Sequence, residues 1–93
     1  MKVELRNVNN YELDYYSTDL VVVFDDLLTL TLNLDALIYY HSEGRRGLFP
    51  LLSRGEAKKR HSELRRKLGL DKKEYCRVMG KVGGLLSRYL ASH

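Results

Sequence analysis

The sequence predicts an α+β fold, in which an antiparallel sheet of three or four strands packs against two main C-terminal helices. Through residue 35, apolar residues alternate with polar ones, which is the period of a β-strand, and beyond it they recur every three to four residues, which is the period of a helix. The sign of the net charge also differs between the two halves of the chain. Residues 1–43 contain eight acidic and two basic residues, whereas residues 44–93 contain fourteen basic and four acidic residues. A chain of 93 residues is the size of a single domain, residues 1–93.

The first part, residues 1–35, predicts an acidic β-meander. The segment KVELRNV alternates, and the pair Asn9–Asn10 predicts a turn after it. A second alternating segment at residues 11–16 and the apolar run LVVVF follow, either as two strands or as one long bent strand. Asp25–Asp26 then predicts a hairpin turn, and four alternating leucines at residues 28–34 predict the last strand.

The second part, residues 36–52, predicts a short helix and an ordered loop. Asp35 is a suitable N-cap for the helix ALIYYHS, which would end near Gly44. The loop that follows is GRRGLFPLL. We expect its large apolar side chains to be buried: Leu48, Phe49, Leu51 and Leu52.

The third part, residues 53–91, predicts a pair of basic helices. Ser53 and Glu56 have the spacing of a capping box, and Asp71 and Glu74 repeat it. Between these boxes, Gly69 stands where a left-handed residue would end the first helix. The apolar stripe of the first helix is Ala57, His61, Leu64 and Leu68. The apolar face of the last helix, about residues 72–90, is Tyr75, Val78, Met79, Val82, Leu86, Tyr89 and Leu90.

A second stripe of the last helix consists only of small residues. Its members are Cys76, Gly80, Gly83, Ser87 and Ala91. Because each interior glycine costs about 1 kcal/mol relative to alanine, glycines at positions 80, 83 and 84 imply that another backbone approaches closely. That backbone belongs either to the sheet or preceding helix of the same chain, or to a second copy. In the second case this stripe is the interface of a homodimer.

The segment at about residues 61–80 resembles a generic helix-turn-helix motif. Apolar residues late in its first helix, a glycine in the turn and apolar anchors on its second helix stand at the motif's relative positions: Leu64, Leu68, Gly69, Leu70, Tyr75 and Val78. Two residues depart from the motif, since Arg65 replaces a small residue at the helix crossing and Tyr75 is bulkier than the usual aliphatic anchor. The resemblance implies that the second helix enters the major groove of DNA, with its first turns toward the base edges.

The basic residues of the second half are therefore the candidate nucleic-acid contacts, because lysine and arginine neutralise phosphates. Arg77 is the best candidate for a base edge, since its guanidinium can bond guanine twice. The pair Arg45–Arg46, between two glycines, would clamp phosphate or enter a minor groove. Asp71 and Glu74 would repel phosphate unless they are engaged as caps. The predicted contacts are Lys58, Lys59, Arg65, Arg66, Lys72, Lys73, Arg77, Lys81, Arg45 and Arg46.

These features predict a small non-catalytic nucleic-acid-binding protein, with DNA favoured over RNA, that acts as a transcriptional regulator. The alternative is a protein–protein adaptor or inhibitor, of the kind found among lineage-specific and viral proteins, whose polarised surface recognises a charged partner. We expect no enzyme, cofactor or metal, because the three histidines lack metal-site spacing and no glycine-rich phosphate loop follows a strand. No apolar run is long enough for a membrane span. Cys76, the single cysteine, excludes an intramolecular disulfide and favours a cytoplasmic location.

Overall fold

The computed structural model describes the backbone of residues 1–10 and 17–92 and the side chains of residues 1–7 and 20–92. Within these residues the fold is α+β, as predicted, with an antiparallel sheet in the order β1-β2-β3 followed by three helices. The elements are β1 Val3–Asn10, β2 Ser17–Phe24, β3 Leu28–Asn33, α1 Leu34–Ser42, α2 Arg54–Leu68 and α3 Lys72–Ala91. The alternating segment predicted at residues 11–16 lies outside the described residues.

The sheet is a meander in which β2 is the central strand. In β1, Asn9 and Asn10 are paired with Thr18 and Ser17 of β2, so the prediction of a turn at these asparagines was wrong. Pairing with β2 continues the strand through both of them. The predicted turn at Asp25–Asp26 is confirmed, since both residues have positive φ (50° and 59°) and join β2 to β3. Aspartate tolerates this conformation better than most residues.

The core forms where the helices cover one face of the sheet. Leu20, Val22 and Phe24 of β2 alternate into it and are almost completely buried. The other buried members come from β3, the three helices and the loop before α2: Leu32, Leu34, Leu37, Leu48, Leu64, Tyr75, Val78, Val82 and Leu86. In this second group every residue except Tyr75 is aliphatic, and Tyr75 has a hydrogen-bond partner.

Helix α3 lies against β1, and polar contacts reinforce this packing. The Nδ2 atom of Asn7 donates to Oη of Tyr89, and Nζ of Lys81 donates to the carbonyl oxygen of Met1 at 3.4 Å. The first contact joins α3 to β1, at the edge of the described sheet, and the second joins it to the residue two positions before that strand. The opposite side of α3, which includes Lys73 and Arg77, is consequently exposed.

The helix starts follow the predicted capping residues in two cases and differ in the third. Ser53 Oγ accepts a hydrogen bond from Glu56 N at 3.2 Å, which confirms the cap of α2. Helix α1 is capped by Asn33, whose Oδ1 accepts from Ala36 N at 2.9 Å, so the prediction of Asp35 as its cap was wrong. The earlier start places Leu34 within the helix, on the same buried face as Leu37. Asp35 instead lies in the first turn, where its charge complements the helix dipole.

Three residues connect α2 to α3. Gly69 has φ 68° and ψ 30°, the left-handed conformation that the sequence predicts for it. Its N–H donates to Arg66 O at 3.1 Å and the N–H of Leu70 donates to Arg65 O at 3.2 Å, which is the pattern of a Schellman motif. Leu70 is partly buried against the core, and Asp71 then caps α3. The corner therefore ends one helix and starts the next without a flexible linker.

The loop between α1 and α2 is only partly buried. Leu48 is buried, as expected, whereas Phe49 and Leu52 are only half-buried. Leu51 is 72% exposed, so the prediction that it is buried was wrong. A turn in which Leu52 N donates to Phe49 O at 3.2 Å places Leu51 at its tip, away from the core.

Candidate nucleic-acid interface

The positive charge of α2 and α3 is not neutralised within the described part of the chain. The ion pairs of this part lie in the acidic half and in the loop after it. In the acidic half, Lys2 and Arg6 pair with Glu4 and Asp26 at 3.0–4.0 Å. By contrast, no described carboxylate lies within 4.0 Å of a lysine or arginine nitrogen of α2 or α3. These side chains are therefore available to an anionic partner.

Helix α2 presents basic residues on the sides that do not contact the core. Its predicted apolar stripe is confirmed, with Leu64 buried and the other three members half-buried. Lys59 and Arg66, seven residues apart, share the outward face, and Lys58 and Arg65 share one flank. Arg65 is half-buried, whereas Arg66 beside it is exposed.

Helix α3 carries a basic stripe on its outward side. Lys73, Arg77, Gly84 and Arg88 recur at spacings of four, seven and four residues, which keeps them on one face, and all four are exposed. Lys72 is exposed in the first turn. Lys81 is turned to the flank, where its Nζ contacts the carbonyl group of Met1. The predicted base-reading residue, Arg77, thus lies between two other cations on the free face.

Several basic residues outside the predicted set are equally exposed and without a described ion pair. They are Arg54, Arg60, Lys67 and Arg88. The spacing of Arg88, eleven residues or about three turns after Arg77, is a signal in the sequence that would have included it. Arg60 and Lys67, seven residues apart, form the second flank of α2 in the same way.

Two carboxyl groups lie at the start of α3 beside this basic stripe. The backbone N–H of Glu74 donates to Asp71 Oδ1 at 2.8 Å and lowers the pKa of Asp71. A hydrogen bond between the two carboxyl groups raises the pKa of Glu74. Asp71 is thus engaged as a cap, as the sequence predicts. Glu74 keeps its proton to a higher pH than an ordinary glutamate.

The small stripe of α3 is open. A Cβ atom added at Gly80, Gly83 or Gly84 would have no neighbouring heavy atom within 4 Å, apart from the helix's own backbone and chain neighbours. Cys76 and Ala91 are exposed. The expectation that the sheet or α2 covers this stripe was therefore wrong, because neither comes close enough. The homodimer interface stays a prediction.

The Arg45–Arg46 pair lies on the same side of the molecule as this stripe. Both arginines line a cavity that the three glycines also line. The guanidinium carbon of Arg45 lies 5.8 Å from the centre of the Tyr40 ring, and its Nε is 4.0 Å from Glu43 Oε2. Arg46 is exposed and has no described carboxylate within 4.0 Å of its nitrogen atoms. The structure thus brings the loop arginines next to α3, whereas the outward face of α2 does not line this cavity.

His61 is a packed side chain in the described structure. Its Nδ1 lies 2.6 Å from Tyr75 Oη, and its ring meets Phe49 edge-on at 5.2 Å. Burial lowers the pKa of His61. Among the described side chains, residues 1–7 and 20–92, no three metal-ligating groups lie close enough together to hold a metal ion.

The chain matches no known protein family, no curated protein and no solved structure. Over the part of the chain that the structure describes, no helix is both long and apolar enough to cross a membrane.

Proposed function

We propose that this protein is a non-catalytic nucleic-acid-binding protein, and more specifically a DNA-binding regulator that docks through α2 and α3. The observation that supports it is the set of exposed lysines and arginines on these helices without described ion pairs. Such side chains bind phosphates and release the counterions condensed on the duplex, which favours association. The acidic sheet would face away from the nucleic acid.

The docking mode that we propose is that of a helix-turn-helix. The Schellman corner fixes the direction of α3, whose inner residues Tyr75 and Val78 are buried while Lys72, Lys73 and Arg77 point outward. In this mode Arg77 reads a base edge and the neighbouring lysines contact phosphates.

A salt titration tests the proposal. The protein is added to a labelled DNA duplex of random sequence, and anisotropy is read at several salt concentrations. We expect log K to fall linearly with log salt, with a slope of about −0.9 per phosphate contact. If random duplex, single-stranded DNA and RNA all fail to bind at low salt, the proposal is wrong.

A matched pair of double variants separates the basic face from net charge. Lys59→Gln with Arg66→Gln removes two unpaired charges from α2, and Lys2→Gln with Arg6→Gln removes two charges that are paired in the sheet. The first variant should bind more weakly, with a salt slope reduced by about 1.8. The second should bind like the wild type. An equal loss in both variants would show that only net charge matters.

A dimer through the small stripe is part of this proposal. The stripe Cys76, Gly80, Gly83, Ser87 and Ala91 would bring two α3 helices together, so that each copy reads one half-site about one helical turn apart. The open Cβ positions of its glycines leave room for a second helix. Light scattering at increasing concentration measures the mass. A constant monomer mass, with and without duplex, would rule out the dimer.

The second candidate is a protein–protein adaptor or inhibitor. It is favoured by apolar side chains in the acidic half, where Tyr39 of α1 is 66% exposed and Leu27 of the β2–β3 turn is 90% exposed. Lys58→Glu with Arg65→Glu distinguishes the two functions. If the basic helices serve only a protein partner, this variant should lose that partner without any change in nucleic-acid retention.

A further inference from the structure

A cavity of about 590 Å³ opens between α1, the loop at residues 45–48 and α3. Its walls are largely apolar, with Leu37, Leu48, Met79, Leu86 and Leu90 among the lining residues. Its volume falls within the range of about 300–1,000 Å³ that is typical of small-molecule sites. Neither the fold nor the proposed DNA contacts require such a space.

The glycines of α3 make this cavity wide. Gly80, Gly83 and Gly84 line it, and no atom fills the space that their side chains would occupy. The lining residues of α3 extend from Met79 to Leu90, which corresponds to a length of about 16 Å along the helix. An unbranched hydrocarbon chain can follow the wall over this length.

The charged part of the lining is basic. Arg45 and Arg46 line the cavity, and no acidic residue does so among the described residues. The other polar lining residues are Tyr40, His41, His61 and Ser87. Arg45 is already engaged by the Tyr40 ring and Glu43. Arg46 has no described carboxylate partner, so its guanidinium is the cation available to a ligand. A carboxylate accepts two hydrogen bonds from such a group.

We propose that this cavity binds a single-chain carboxylate amphiphile, namely a medium-chain fatty acid. Its hydrocarbon chain lies along the glycine wall of α3, and its carboxylate bonds to Arg46. One chain of this length matches the length of the α3 wall, whereas a phospholipid would bring two chains to it. This inference does not rest on nucleic-acid binding. A hydrocarbon chain along Gly80, Gly83 and Ser87 would exclude a second α3 helix from them, so it competes with the proposed dimer.

Calorimetric titration with dodecanoate, kept below its critical micelle concentration, tests the ligand class. We expect saturable one-to-one binding, about tenfold tighter than the binding of dodecanol, which lacks the charge. Arg46→Gln should remove this preference and leave the affinity for dodecanol unchanged. Equal affinity for the acid and the alcohol in the wild type, or tighter binding of dodecyltrimethylammonium, would overturn the assignment.

Two glycine variants test the location. Gly83→Leu places a side chain in the cavity, and Gly55→Leu places the same side chain on α2, outside it. Both positions are open and helical, so neither variant should unfold the protein. Gly83→Leu should lose dodecanoate binding and Gly55→Leu should keep it. Binding that does not saturate, or that survives in Gly83→Leu, would show adsorption elsewhere and overturn the proposal.

Discussion

His61 of α2 and Tyr75 of α3 form a hydrogen-bonded pair at the contact between these helices, with Nδ1 2.6 Å from Oη. Burial raises the pKa of Tyr75 to about 12 and lowers the pKa of His61. Tyrosine therefore stays protonated and donates its O–H to the neutral imidazole at neutral pH. The two rings also meet edge-on at 5.9 Å, which fixes the position of α2 on α3.

The pKa of His61 makes stability depend on pH. Since the pKa is lower in the folded state than the ordinary value of 6.5, the unfolded state binds the proton more tightly. The free energy of unfolding should have its full value above about pH 6.5 and fall as the pH decreases below it. Urea unfolding at a series of pH values measures this dependence. His61→Gln should reduce it, whereas His41→Gln, at the end of α1, should retain it; an unchanged dependence in His61→Gln would contradict the assignment.

The hydrogen bond itself can be measured by a double-mutant cycle. Tyr75→Phe leaves Nδ1 of His61 without its donor in a half-buried place, and should lower the free energy of unfolding by about 1 kcal/mol. In the His61→Phe background, Tyr75→Phe has no partner to lose and should have a smaller effect. Chemical denaturation of the four proteins gives the coupling. Additive effects would mean that the bond contributes nothing.

At the scale of whole elements, local sequence signals are sufficient to predict where α2 begins and ends and where α3 begins. Ser53, Gly69 and Asp71 each act through neighbours within five residues, so their sequence spacing contains the whole interaction. The start of α1 could not be predicted in this way, because Asn33 and Asp35 are both good caps. Packing of Leu34 in the core decides between them.

The glycines of α3 show a different limit. The sequence indicates that each interior glycine weakens the helix, but helix propensity does not indicate what replaces the missing side chain. We expected a nearby backbone and the structure shows an open cavity wall. The neighbours of this wall, Leu37 and Arg46, come from distant parts of the chain, so no local pattern could reveal it.

Alanine substitutions at two glycines should have opposite effects on stability. Gly69→Ala forces a side chain into the left-handed region and should lower the free energy of unfolding by about 1–2 kcal/mol. Gly84→Ala has open space in a regular helix and should raise it by about 1 kcal/mol. Urea unfolding of both variants tests this. A destabilised Gly84→Ala would indicate that a partner covers this position in solution.

Removing the charge of Glu74 should tighten DNA binding. Its carboxyl group lies in the first turn of α3 with Lys72 and Lys73, one turn before Arg77, where a phosphate would approach. Glu74→Gln removes the repulsion and keeps the size of the side chain, so affinity for duplex should rise at low salt and the gain should shrink as salt increases. Asp35→Asn in the first turn of α1 is the control, since it removes the same charge in the acidic half, away from the basic helices. Equal gains in both variants would indicate a net-charge effect.

At the scale of the whole molecule, the charge asymmetry that the sequence displays becomes a spatial one. Most predicted contacts lie on exposed sides of α2, α3 or the Arg45–Arg46 loop, because apolar periodicity fixes which helix side is buried. Arg65 is the exception, since it is half-buried. Lys81 is exposed, but its Nζ contacts the carbonyl oxygen of Met1, 80 residues away along the chain, and periodicity cannot predict such a contact.

The two proposed ligands meet at Arg46, which predicts coupling between them. A carboxylate bonded to Arg46 removes a cation from the nucleic-acid face, so saturating dodecanoate should weaken duplex binding by several-fold. Linkage requires that duplex weaken dodecanoate binding by the same factor. Anisotropy with and without dodecanoate, and calorimetry with and without duplex, give the two factors independently. Arg46→Gln should bring both factors to one. A coupling that survives in this variant would have to pass through another residue of the cavity. If the wild type shows no coupling, Arg46 contacts only one of the two ligands.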